Sequence, residues 1–297
     1  MYTGELAALG TACLWSVGSL FFDAAGRRIG PLSVNKVRIP FAAVLLSLAL
    51  LATTGRLVPA SVPLERLGWL ALSGFVGLVL GDACLFTSLV ILGPRRATLL
   101  MVAAPPIATL IAWPVLGEAL GLCSILGITV TIAGVVWVSS EKRGKSAVLR
   151  TGSLMAGALW GLGGAAGQGI GLVLAKLGMG NQVTALEGTF CRMASAAVLI
   201  WAFELVSGKV PSTVSALRDR RGVLFALAGA CVGPFLGVWL SLVSVQRIEA
   251  GVAATLMAIV PVLVIPLEVI IHCEHLTPRA VVGACIAVAG VAILFLK

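Results

Sequence analysis

Charge is what this 297-residue sequence lacks most: Asp, Glu, Lys and Arg together make up 11% of it. A soluble domain carries roughly 25%. A polar shell around a water-soluble core therefore cannot be built from these residues. Tyrosine occurs once and histidine twice. The histidines, His272 and His275, stand in His-Cys-Glu-His. That is not the spacing in which one helix face presents two imidazoles with a glutamate base beside the first. No Gly-x-Ser-x-Gly elbow and no phosphate-binding glycine loop occurs, so the common hydrolase and ATP-driven mechanisms have no footing. The seven cysteines (Cys13, Cys84, Cys123, Cys191, Cys231, Cys273, Cys285) are odd in number, never form CxxC, and fall in or at the ends of apolar runs. They read as small buried hydrophobes rather than as a disulfide framework or a zinc cage. No cofactor and no metal site is expected, and no enzyme.

What is present is apolar sequence. Hydrophobic residues make up 59% and the mean hydropathy is +1.09. Runs long enough to cross a ~30 Å hydrocarbon core recur along the chain. The spans read as residues 5–23, 34–54, 67–92, 95–116, 121–140, 152–174, 182–206, 222–245, 249–271 and 277–296. The fold class is all-α integral membrane, with ten transmembrane helices. The net charge of +9 comes as short loop clusters such as Arg27-Arg28, Arg95-Arg96 and Arg218-Asp219-Arg220-Arg221. Clusters of that kind meet lipid head groups and set orientation rather than bind nucleic acid. The expected partners are the lipid bilayer and a small-molecule substrate. No basic n-region precedes the first span, so a cleavable signal is not expected.

The sequence repeats itself. At an offset of 156, Gly77 falls on Gly233, Gly81 on Gly237, Met101 on Met257, Pro105 on Pro261, Glu118 on Glu274 and Gly134 on Gly290. Upstream, an offset of 154 pairs Arg38 with Arg192, and one of 145 pairs Leu14-Trp15 with Leu159-Trp160. The organisation is thus a first repeat over 1–140, a basic connecting loop over 141–150 and a second repeat over 151–297. With five spans in each copy, the second enters the bilayer upside down relative to the first. Inverted repeats of that kind are typical of alternating-access transporters, with the substrate site near the midplane.

Several residues stand out as candidates. Pro105 and Pro261 interrupt matched spans, each removing a helix donor, and so line a cavity or merely kink a packed helix. Asp82 lies about fifteen residues inside its span, ~22 Å along the axis. An acid there is a functional candidate, or else the buried partner of Arg38. Val238 at the matched position shows that the architecture alone does not require it. Trp15, Trp160, Trp239 and Gln168 offer stacking and hydrogen-bonding surfaces, although interface anchoring explains many membrane tryptophans. Arg38 and Arg192 read as residues near helix ends that snorkel or pair with a local acid, Glu187 in the case of Arg192. Glu118 and Glu274 read as holding the turn after each proline-broken helix. The small-residue rows Ser73-Gly77-Gly81, Gly229-Gly233-Gly237 and Gly163-Gly167-Gly171 read as seams for close helix approach.

Gly81-Asp82-Ala83-Cys84-Leu85-Phe86, Gly93-Pro94-Arg95-Arg96-Ala97, Pro105 and Gly117-Glu118 together resemble the EamA-type branch of the drug/metabolite transporter superfamily. The second half agrees through Ala250-Gly251-Val252-Ala253-Ala254-Thr255-Leu256-Met257, Pro261, Glu274 and Gly290. The resemblance implies ten helices in two inverted five-helix repeats, residence in the cytoplasmic membrane, and export or exchange of small organic metabolites. Small multidrug members of the superfamily carry a glutamate within the first helix. Here Glu5 and Asp23 stand only near its ends and the sixth span has no acid, which speaks against proton-coupled expulsion of cationic drugs. A non-coupled accessory or lipid-handling role, such as a flippase subunit, is the alternative. The resemblance places both termini in the cytoplasm. The loop charges place them outside, because fourteen Lys and Arg flank the spans on the face away from the termini and five on the termini's face. A monomer is the simplest expectation, with a homodimer the alternative.

Overall fold

The computed structural model describes residues 2–60, 62–92, 97, 100–139, 153–263 and 278–294. Among them there are helices and turns and no strand, as lipid requires of a chain that must satisfy its backbone internally. In chain order the helices are α1 (Thr3–Ile29), α2 (Pro31–Thr54), α3 (Leu64–Gly74), α4 (Asp82–Leu92), α5 (Ala104–Leu116), α6 (Leu122–Ser139), α7 (Leu154–Met179), α8 (Ala185–Val206), α9 (Val210–Ala216), α10 (Arg220–Ala230), α11 (Val238–Val245), α12 (Ala250–Met257) and α13 (Pro278–Leu294). Among the described residues, six helices, counting α3–α4 and α10–α11 as continuous, are long and apolar enough to cross a membrane, and four shorter ones are apolar. Leu6, Val44, Leu48, Leu110, Leu154 and Val198 present bare side chains outward, a surface suited to lipid and not to water. The chain is an integral membrane protein.

Helix ends follow local chemistry. Gly55 and Gly117 take the left-handed conformation that closes α2 and α5, where a Cβ would be strained. α8 opens on a capping box in which the Thr184 and Glu187 side chains each meet the other's backbone amide. The first helix runs past the expected end at residue 23 to Ile29, because Asp23 and Arg27 pair one turn apart at 2.9 Å instead of ending it. The polar stretch after residue 206 holds the short helix α9, so it is not all loop.

Two irregularities recur at one spacing. Seven-residue π-helical segments, Phe75–Gly81 and Cys231–Gly237, join α3 to α4 and α10 to α11, and their bounds differ by 156. A 3₁₀ turn at Met101–Ala103 precedes Pro105, and a turn at 258–259 precedes Pro261. Proline disfavours the α region in the residue before it and donates no hydrogen bond. The breaks accordingly lie on the amino-terminal side of each proline, and Pro105 and Pro106 start the α-helical part of their span.

α6 and α13 pack on each other without other helices between them. A Cβ on Gly134 would press on Ala287, and one on Gly290 would press on Thr131. These are the same contact exchanged at the offset of 156. Gly127 meets Leu294 while Gly134 meets Ala287 and Gly283, so the two helices run antiparallel. Elsewhere the packing crosses between the halves of the sequence. α7 lies against α3, α4 and α5, and α1 lies against α10 and α11. The glycine row of the first half meets glycines, Gly77 and Gly81 against Gly167 and Gly171, whereas Gly229 and Gly233 meet Phe22 and Trp15.

The described polar residues sort onto two faces. On one, Arg28 pairs with Asp219 at 3.2 Å and Lys36 with Glu204 at 2.9 Å. On the other, Arg66 donates to the Leu177 carbonyl and Arg247 to Thr3. The Gly222 amide, with Arg28 adding to it, holds the Asp219 carboxyl below the ordinary carboxylate range. Its contribution is present above that range and lost as pH falls through the lowered value.

The described cysteines do not all behave as buried hydrophobes. Cys191 is buried, but Cys13, Cys123 and Cys285 are exposed. Lipid solvates a thiol on the outside of an apolar helix without penalty, so burial is not required there. Cys273, Glu274, His272 and His275 lie outside the described residues.

Candidate functional site

Two carbonyls of the π segment before α4 also accept hydrogen bonds from side chains. Asn35 Nδ2 donates to the Leu78 carbonyl at 3.2 Å, and Gln168 Nε2 donates to that of Gly77 at 3.3 Å. The same two side chains hold a buried ion pair. Asn35 Oδ1 accepts from Arg38 Nε at 2.8 Å, Arg38 Nη2 donates to Asp82 Oδ2, and Gln168 Nε2 donates to Asp82 Oδ1 at 2.9 Å. The network thus runs from one π-segment carbonyl to the next through α2, α4 and α7. Asp82 and Arg38 are 3% and 5% exposed. Carbonyl oxygens near a π-helical turn are a frequent setting for functional groups.

Aromatic rings surround the Arg38 guanidinium, with centroids at 5.7 Å for Trp15, 5.0 Å for Phe22 and 5.4 Å for Phe86. Each lies within the ~6 Å reach of a cation–π attraction. Arg192, on α8, is also buried and faces Asp82 electrostatically. Glycines make the room: a Cβ at Gly77 would lie 3.3 Å from Arg192 Nη2.

The structure therefore brings Trp15, Arg38, Asp82, Gln168 and Arg192 together, and adds Asn35, Phe22 and Phe86. Asn35 and Arg38, Asp82 and Phe86, and Trp15 and Phe22 each stand at helical spacings of three, four and seven, a signal the sequence does carry. Both arginines lie within helices and are buried, not at snorkelling ends. Glu187 is not the partner of Arg192, because its carboxylate is engaged in the capping box. Trp160 is 46% exposed and joins none of these groups. Trp239 packs on Phe235 at 6.2 Å in the apolar core beside α8. Pro105 is buried and Pro261 half-buried, next to the helix breaks and apart from the ion pair.

Glu118 holds more than its own turn. Its Oε2 accepts from the Ala250 amide at 2.7 Å, capping α12 from the other half of the chain, and Oε1 pairs with Lys176 at 2.5 Å. Lys176 also donates to the Ile248 carbonyl at 2.6 Å. These groups, with Glu5 and Arg247, line a surface depression of about 720 Å³. Glu118→Ala removes the acceptor for a helix N-terminus, and a loss of about 1 kcal/mol is expected in thermal unfolding of the detergent-purified protein. Glu118→Gln, which keeps an acceptor, should lose less.

The sequence model of the EamA-like transporter family matches residues 2–140 and again residues 155–296. The chain belongs to the EamA-like transporter family. The two matches together cover nearly the whole of this EamA-like chain. No curated protein matches it. Of the solved structures, 29 chains match. One, a crystal structure of a protein 17% identical, has a TM-score of 0.73 and covers 100% of this chain and 97% of its own. At that identity the likeness speaks to the fold alone, and it spans all of this chain.

Proposed function

We propose that the chain is a secondary transporter that moves small organic metabolites outward across the cytoplasmic membrane. Its two units, 1–140 and 151–297, form ten spans in two inverted five-helix repeats that rock against each other. The observation that carries this reading is the buried network in which α2 and α4 of the first unit meet α7 of the second through Arg38, Asp82 and Gln168. A charged site at the junction of two units is what alternating access needs. The equal spacing of the π segments and the antiparallel, exchanged contacts of α6 and α13 support the inverted repeat. The site is shielded from solvent in this conformation, so one unit must move for cargo to reach it.

Asp82 is the candidate for coupling. Opening the site exchanges its contacts with Arg38 for water, which makes a proton or ion an alternative partner. Flux into proteoliposomes that responds to a pH gradient in the wild type, and no longer does so in Asp82→Asn, is the expected result. Flux identical in the two proteins at every pH would remove the coupling role.

A further inference from the structure

The two matched arginines differ in what faces them. Arg38 has Asp82. The position that matches Asp82 in the second half is Val238, buried and apolar. Arg192 is 4% exposed, and its Nε has no hydrogen-bond partner. Asp82 attracts it, but the Asp82 oxygens already accept from Arg38 and Gln168. Glu187 is engaged in the helix cap. Among the described residues, the cluster thus holds two guanidiniums and one carboxylate. A buried cation without a full partner is costly, and a planar guanidinium with an unused donor suits the two oxygens of a carboxylate or phosphate.

We infer that Arg192 is the recognition residue for an oxyanion on the cargo, so that the transported molecule is a small organic anion. This inference rests on the transporter reading. The cargo's carboxylate or phosphate takes the place that Asp82 fills for Arg38 and brings the site to charge balance. Gly77 puts no side chain against the guanidinium, since a Cβ there would lie 3.3 Å from Arg192 Nη2. Binding is thereby coupled to the fit between the units, because Arg192 comes from the second and Asp82 from the first.

Thermal unfolding of the purified chain tests this with matched probes: acetate, benzoate and phenyl phosphate against acetamide, benzamide and phenol. The anions are expected to raise Tm saturably and the neutral partners are not. Arg192→Gln should abolish the response while raising the Tm of the ligand-free protein by about 2–4 °C, and Arg192→Lys should keep part of the response. Equal shifts from anions and neutral probes, or a response untouched in Arg192→Gln, would overturn the inference. So would an Arg192→Gln protein that, without ligand, is as destabilised as one lacking Arg38. Proteoliposome flux separates the two claims. Saturable flux of a neutral or cationic probe that ignores Arg192→Gln overturns the anion site and leaves the transporter. Anion protection lost in Arg192→Gln, without flux of any probe, keeps the site and overturns transport.

Discussion

Arg38→Met is expected to destabilise the protein by about 3–5 kcal/mol, because it takes from the buried Asp82 carboxylate the guanidinium hydrogen-bonded to it. The pair's side chains are 6% and 4% exposed, so water cannot take over the role of the guanidinium. Arg38 also gives its Nε to Asn35 and sits among three aromatic rings, and those contacts go with it. The double variant Arg38→Met/Asp82→Leu should recover most of the loss, since replacing a whole buried pair with apolar residues is often neutral or stabilising. Denaturation of the two singles and the double gives the coupling energy directly. If the single is as stable as the double, the pair is not what holds α2 to α4.

The second large effect is steric. A Cβ at Gly167 would lie 2.6 Å from the Gly81 Cα and 2.9 Å from the Val76 carbonyl. Both obstacles are backbone of the π segment and its flanks, so no side chain can swing aside. Gly167→Val is expected to cost about 1–3 kcal/mol by overpacking. It should also lift Gln168 off Asp82 and abolish flux. Gly163 stands one step earlier in the same row, yet a Cβ there would meet Cys84 Sγ at 3.4 Å, an ordinary contact. Gly163→Ala should therefore leave stability and flux near wild type. Equal losses at the two positions would show that the close contact at Gly167 is not what sets the cost, because Gly163→Ala on its own improves helix propensity.

That contrast also shows where sequence reading stops. Membrane class and the helix breaks before Pro105 and Pro261 are legible because proline and charge punctuate an otherwise apolar chain. The Asp82–Arg38 pair was legible as one of two alternatives for a single buried acid. Which face of each helix turns inward was not. In a soluble helix the polar side marks the outside, but lipid-facing and core-facing positions here are both apolar, so periodicity carries little phase. Trp160 and Trp15 match in the repeat, yet one is exposed and the other lies over Arg38. Phe22, Phe86 and Asn35 are unmarked in the sequence for the same reason, although each stands at helical spacing from a residue that is marked. Glu187 fails as the partner of Arg192 for a different reason. Thr184-x-x-Glu187 is a capping signature, and recognising it would have withdrawn Glu187 from the choice of partners.

Polar contacts tie the first half of the sequence to the second. Glu118 of the first unit caps α12 of the second, and Gln168 of the second holds Asp82 of the first. Such contacts join the two halves of the sequence, and the proposed motion of one against the other would break some of them. Lys176 and Glu118, 22% and 13% exposed, lie where water can replace them during such motion.

The most direct test of the central claim is uptake of small metabolites into proteoliposomes, run beside a lipid-scrambling assay in the same vesicles. Amino acids, nucleosides, sugars, organic anions and cationic dyes would be offered in turn to the wild type and to Gly167→Val. Saturable uptake of one chemical class, lost in Gly167→Val and kept in Gly163→Ala, is the expected result. Scrambling of lipids with no saturable uptake of any class would contradict it and place the chain among lipid-handling proteins.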